Sequence, residues 1–156
     1  MQIRFIQTGK THFDFIDAGF EEYAKRIRRY GKFSFHALAL PSKMKSDDQQ
    51  LIKKMEADLQ LKELGKDEFA ILLDEKGKRY DSVTFAVYLQ KLMNHETSIA
   101  FLTGGAYGFA EEIYQRADAK LSLSDFTFSH QLVKLIFAEQ LYRAFTIIRG
   151  EPYHHA

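Results

Sequence analysis

Several short stretches of this sequence carry side chains able to recognise a nucleobase or move a proton. Near the C-terminus stand Arg143 and the run Arg149-Gly-Glu-Pro-Tyr-His-His155. Tyr and His stack on bases, His exchanges protons near neutral pH, and Arg grips phosphate with a planar donor fork. Terminal segments usually fray, so composition alone would leave this one unstructured. A second stretch, Leu121–Gln131 (LSLSDFTFSHQ), is rich in hydroxyls and aromatic rings. The backbone of such a loop can read an adenine edge while apolar faces stack on it. The same residues also describe a strand followed by a helix capped at Ser129. A third, Thr103-Gly-Gly-Ala-Tyr-Gly108, follows the apolar run Ser98–Leu102. Glycine at the carboxyl end of a strand lets a ligand approach the backbone, and it also suits any tight turn. Leu73-Asp74 ends another apolar run; its carboxylate suits a ribose hydroxyl or a solvated turn. Lys25-Arg-Ile-Arg-Arg29 is a dense basic cluster, either a solvated helix face or a phosphate contact.

Other chemistries are excluded by what these stretches lack. There is no G-x-G-x-x-G dinucleotide fingerprint, no G-x-x-x-x-G-K-[ST] loop and no H-E-x-x-H. G-x-S-x-G is missing too, so no Ser-His-Asp triad is assignable. The six His have no ligand-like spacing and Cys is absent, so no metal and no thiol chemistry is expected. Lys plus Arg number 22 against 21 acidic residues, a net charge of +1. A basic coat for naked RNA is therefore missing, and contacts to nucleic acid must come from local patches.

The elements that position these residues alternate. Gln2–Thr8, Lys32–Leu40, Phe69–Leu73 and Ser98–Leu102 read as strands, with Leu121–Ser124 as a weaker fifth; continuous apolar runs fit the centre of a parallel sheet. Phe13, Ile16, Phe20, Tyr23, Ile27 and Tyr30 mark one apolar helix stripe. Ser46-Asp-Asp-Gln49 has the form of a capping box for a helix reaching Leu64. Further helices are predicted over Ser82–Asn94, from Ala110-Glu-Glu112, and over Leu132–Ile148, which is apolar on more than one side. Between strand and helix, Pro41–Gln50 (with Lys43, Lys45, Asp47 and Asp48) is a polar loop. Strand and helix in alternation over 156 residues predict a single α/β domain with a parallel sheet. No run approaches the length of a membrane-spanning helix and no leader pattern opens the chain, so the cytoplasm is the expected setting.

Taken together, these segments resemble the RlmH-type SPOUT methyltransferases, which methylate N3 of a pseudouridine in large-subunit ribosomal RNA. The resemblance is carried by Phe101-Leu-Thr-Gly-Gly-Ala-Tyr-Gly108, Leu121-Ser-Leu-Ser-Asp-Phe-Thr-Phe128, Ala138-Glu-Gln-Leu-Tyr-Arg-Ala-Phe145 and Ile148-Arg-Gly-Glu-Pro-Tyr-His154, with Glu21-Glu-Tyr-Ala-Lys-Arg26 in the first half. It covers essentially the whole chain. It implies a single SPOUT domain over residues 1–156 with a C-terminal trefoil knot, a feature no periodicity argument reaches. It also implies a homodimer packed through the last helix, S-adenosylmethionine as methyl donor and ribosomal RNA as substrate. The donor is expected against Leu73, Gly104 and the run Leu123, Ser124, Asp125, Phe126, Thr127 and Phe128. The target base is expected at Arg143, Tyr153 and His154, with the partner subunit completing the site. His154 is the expected general base, Arg143 the stabiliser of the developing anion, and Tyr153 the ring that orients the base. The low net charge points to an assembled ribosomal particle rather than free RNA. Where the family usually has Pro, this chain has Ser129. Two rival readings are an inactive ribosome- or RNA-binding module of the same fold, and a small NAD-binding oxidoreductase, which the missing fingerprint opposes.

Overall fold

The computed structural model describes residues 1–44 and 46–155. Lys45, counted above with the polar loop, and Ala156, the end of the expected domain, lie outside the described residues. Five strands form one sheet: β1 (Gln2–Thr8), β2 (Lys32–Leu38), β3 (Phe69–Arg79), β4 (Ser98–Thr103) and β5 (Ala119–Ser122), in the order β2-β1-β4-β3-β5. Every neighbouring pair is parallel. This is the parallel α/β sheet expected from the alternating pattern.

Side chains alternate between the two sheet faces, so each central strand feeds two cores. Phe5, Ile71 and Phe101 join one core with α1 (Asp14–Ile27), α3 (Ser82–His95) and α5 (His130–Arg149). Ile6, Leu72 and Leu102 join the other with α2 (Gln49–Glu63) and α4 (Glu111–Arg116). Phe137 of α5 is fully buried, its ring 4.9 Å from Phe5 and 4.7 Å from Phe101. Phe137→Ala removes the ring that ties α5 to the two central strands. It is expected to lower stability by about 3–5 kcal/mol, read from the urea midpoint at unchanged slope.

Several boundaries differ from the sequence expectation. Strand β3 runs six residues beyond Leu73, because its polar end pairs with β5: Leu121 stands opposite both Leu73 and Lys78, and Asp74–Gly77 bulges out between them. At Gly77 the backbones almost touch, since a Cβ there would lie 2.5 Å from Leu121 N. Strand β5 begins two residues before the expected Leu121. Ser46 is not the cap of α2: the Asp48 carboxylate accepts from Gln50 N at 3.0 Å and Leu51 N at 3.3 Å, while Ser46 Oγ accepts from Asp48 N. Phe13 precedes α1 and is half exposed, so the buried stripe is Ile16, Phe20, Ala24 and Ile27. Ser129 does cap α5, its Oγ accepting from Leu132 N at 3.3 Å, a contact that Pro at this position would lack. Among the described residues no helix is long and apolar enough to cross a membrane.

Candidate active site

At the carboxyl ends of β3, β4 and β5 lies a cavity of about 610 Å³. Its walls include Leu73 at the β3 bulge, Gly104 after β4, and Leu123, Ser124, Phe126, Thr127 and Phe128 between β5 and α5. Three segments far apart in the chain thus meet where ligands bind in open α/β sheets. Asp125 is the one member of its run that does not line the cavity: its carboxylate pairs with Arg79 Nε at 2.8 Å, and both side chains are largely exposed. The loop's own hydroxyls hold its shape, Ser122 Oγ donating to Ser124 O at 3.2 Å and Phe126 N donating to Ser124 Oγ at 2.9 Å. Phe126 stands 83% exposed at the rim, an unusual position for a large apolar ring and one suited to stacking.

The Gly-rich turn closes on itself. Gly108 adopts φ +82° and donates its N–H to Gly105 O at 3.1 Å. A Cβ on Gly104 would sit 3.0 Å from the Gly108 carbonyl carbon, so backbone lies bare on this wall. Beside it the buried hydroxyl of Thr103 has no hydrogen-bond partner among the described residues. A backbone cradle and an unanswered hydroxyl fit a polar, nucleoside-sized ligand. Asp74 also lines the cavity, as a half-buried turn residue whose two carboxylate oxygens are both engaged rather than free for a ribose. Its Oδ1 accepts from Lys76 N at 2.8 Å, and its Oδ2 from the Tyr114 hydroxyl. Burial, then this bond, pushes the Tyr114 phenol above its ordinary range.

A second cluster forms at the other end of α5. Gly150 in the left-handed conformation (φ +67°) ends the helix, with Gly150 N bonded to Ile147 O and Glu151 N to Thr146 O. The tail therefore folds back rather than fraying, and Tyr30 fastens it: its ring stacks on Phe145 and its hydroxyl donates to Glu151 at 2.5 Å. Burial, then that bond, pushes the Tyr30 phenol up to about 12. Arg143 donates from Nη2 and Nε to Glu139 Oε1 at 2.6 and 3.2 Å, and Tyr153 donates to the same oxygen at 3.0 Å. The guanidinium lies 4.7 Å over the Tyr153 ring. Its bond to Glu139 raises the Arg143 pKa, while burial, ahead of bonds to Tyr23 and Glu139, raises that of Tyr153. Arg143 Nη1 also stands 3.2 Å from His154 Nδ1. Guanidinium has no acceptor, so Nδ1 must accept and the ring proton of neutral His154 sits on Nε2.

Arg143, Tyr153 and His154 are thus brought together, but not to the cavity. Val133 lines the cavity and Arg143 follows ten residues later on α5, about 15 Å along the helix. Glu139 is absent from the residues the sequence points to, although its place one turn before Arg143 is a readable signal. Of the basic cluster, Arg26 and Arg28 pair with Glu22 and Glu21, whereas Lys25 and Arg29 form no ion pair among the described residues.

Comparison with known proteins agrees with this architecture. A family model described as "Predicted SPOUT methyltransferase" matches residues 1–154. The ribosomal RNA large subunit methyltransferase H of Christiangramia forsetii is 46% identical over 156 residues, covering 99% of each chain. The protein of the same name from Flavobacterium johnsoniae is 44% identical with the same coverage. Among solved structures, a probable methylase family protein from Haemophilus influenzae Rd KW20 shares the fold at a TM-score of 0.51 and 15% identity, over 95% of this chain and 66% of that one.

Proposed function

Because the chain belongs to the SPOUT methyltransferase family, we propose that it methylates N3 of a pseudouridine in large-subunit ribosomal RNA, using S-adenosylmethionine, on assembled ribosomal particles in the cytoplasm. The observation that carries this is the convergence of Leu73, Gly104 and five of the six residues Leu123–Phe128 on one cavity at the carboxyl edge of the sheet. The names of the relatives at 44–46% identity support the substrate. The match over residues 1–154 supports one domain spanning the chain, threaded as a trefoil knot in its C-terminal half.

Bound in the cavity, S-adenosylmethionine supplies a sulfonium methyl that is already a strong electrophile. The chain must then hold the acceptor nitrogen about 3–3.5 Å from it and take away the N3 proton. His154 takes that proton at Nδ1. Arg143 now donates to that nitrogen, so it must first turn toward the substrate, where it stabilises the charge that develops on the ring. Tyr153, its hydroxyl fixed by Glu139, presents a ring face to the base.

The separation of the two clusters along α5 favours a homodimer, in which the Arg143 cluster of one copy serves the cavity of the other. Leu132, Val133 and Ile136 of α5 remain only half-buried within one chain, as an interface helix would. Mass spectrometry of ribosomal RNA from cells with and without this protein tests the reading: one methyl group on a large-subunit pseudouridine should disappear with the protein, and its persistence would sink the proposal. Lys25 and Arg29 are assigned to RNA backbone. Reversing both charges should raise KM for ribosomal particles several-fold with little change in kcat, and the KM effect should shrink as salt is raised.

A further inference from the structure

Glu56 of α2 takes no part in the chemistry described above. Its Oε1 is buried without a hydrogen-bond partner among the described residues, and burial raises the pKa of its carboxyl. Both carboxylate oxygens press on the Gly-rich turn, where a Cβ on Gly105 would collide with them. Glu56 and Gly105 line a second cavity of about 350 Å³, together with Lys10. Gly105, Ala106 and His130 are walls of both cavities.

A partly desolvated carboxylate lacking a partner is costly, and a cationic N–H donor relieves that cost. His130 does not relieve it with its Nε2 proton, which it gives to Thr8 O at 2.6 Å. Lys10 is exposed and forms no ion pair among the described residues. One cationic donor is already implied next door. A methyl donor with its adenosine against Leu123–Phe128 would pass the bare backbone of Gly104 and Gly105, and its free end carries an α-ammonium and an α-carboxylate. We propose that the second cavity receives the amino-acid arm of the methyl donor, with Glu56 accepting hydrogen bonds from its α-ammonium and Lys10 facing its α-carboxylate. This rests on the donor reading of the larger cavity.

Calorimetry on the full chain with two nucleosides separates the possibilities. S-adenosylhomocysteine and methylthioadenosine share the adenosine and a neutral thioether, but only the first has the arm. Glu56→Gln should weaken S-adenosylhomocysteine about ten- to a hundredfold, the effect of losing a charge-assisted hydrogen bond, while methylthioadenosine binds as it does to the unaltered protein. That second affinity also reports whether the variant is folded. Unchanged binding of S-adenosylhomocysteine by Glu56→Gln would overturn the proposal. So would an equal loss for both nucleosides, which would make Glu56 a support for the Gly105 turn. If the unaltered protein bound neither, the donor reading itself would fall and this assignment with it.

Discussion

His154→Ala should slow the methyl-transfer step by about 10²–10⁴-fold, the range of a lost general base, and leave donor affinity where it was. The second half of that expectation follows from the division of roles: the donor cavity is walled by residues of β3, β4 and the β5–α5 loop, and His154, which is not among them, acts on the base rather than on the donor. A single-turnover assay on ribosomal particles, with donor in excess, isolates the step from product release. The control variant is Arg143→Lys. Lysine keeps the charge but not the planar fork that reaches Glu139, the Tyr153 ring and His154 together. It should therefore lose most of the rate as well. Full turnover by His154→Ala would remove this histidine from the proton path.

The largest effect is expected when two inactive proteins are mixed. Gly104→Val distorts the cavity wall, since even a Cβ there lies tight against the Gly108 backbone. Arg143→Ala leaves the cavity alone and removes the acceptor cluster. Each should be close to inactive by itself. If each site draws its cavity from one copy and its Arg143 cluster from the other, a mixed dimer retains one intact pairing. Random exchange of equal amounts then makes about half the dimers mixed, each with one working site, so about a quarter of normal activity should return. No recovery after confirmed subunit exchange would show that both halves of a site come from one chain. Circular dichroism of each variant excludes misfolding as the cause of its inactivity.

The parts of this molecule legible in its sequence are those governed by neighbours. Strand β1 runs over Gln2–Thr8 as its apolar pattern dictates, and Ser129 caps α5 as its position suggested. Elements fixed by distant partners depart from what their own residues suggest. The polar end of β3 has no strand pattern, and Lys78 and Arg79 join the sheet because β5 lies against them. Asp48 displaces Ser46 as a cap because an offset of two residues decides which oxygen meets the free amides. The same division holds in the site. The glycines and hydroxyls of Thr103–Gly108 and Leu123–Phe128 announce themselves by type, whereas the outward turn of Asp125 depends on Arg79. Glu56 gave no signal at all, since its significance comes from Gly105, which lies 49 positions further along the chain.

Strand β1 precedes the other four strands in the chain, yet it lies inside the sheet, flanked by β2 and by β4. Its pairing runs from Gln2 opposite Ser98 to Gln7 opposite Thr103. While the chain is being synthesised, one edge of β1 therefore stays bare until Ser98–Thr103 has emerged, and an unpaired apolar edge invites association with other nascent chains. Translation pauses placed before residue 98 should raise the insoluble fraction, whereas pauses placed after Thr103 should not.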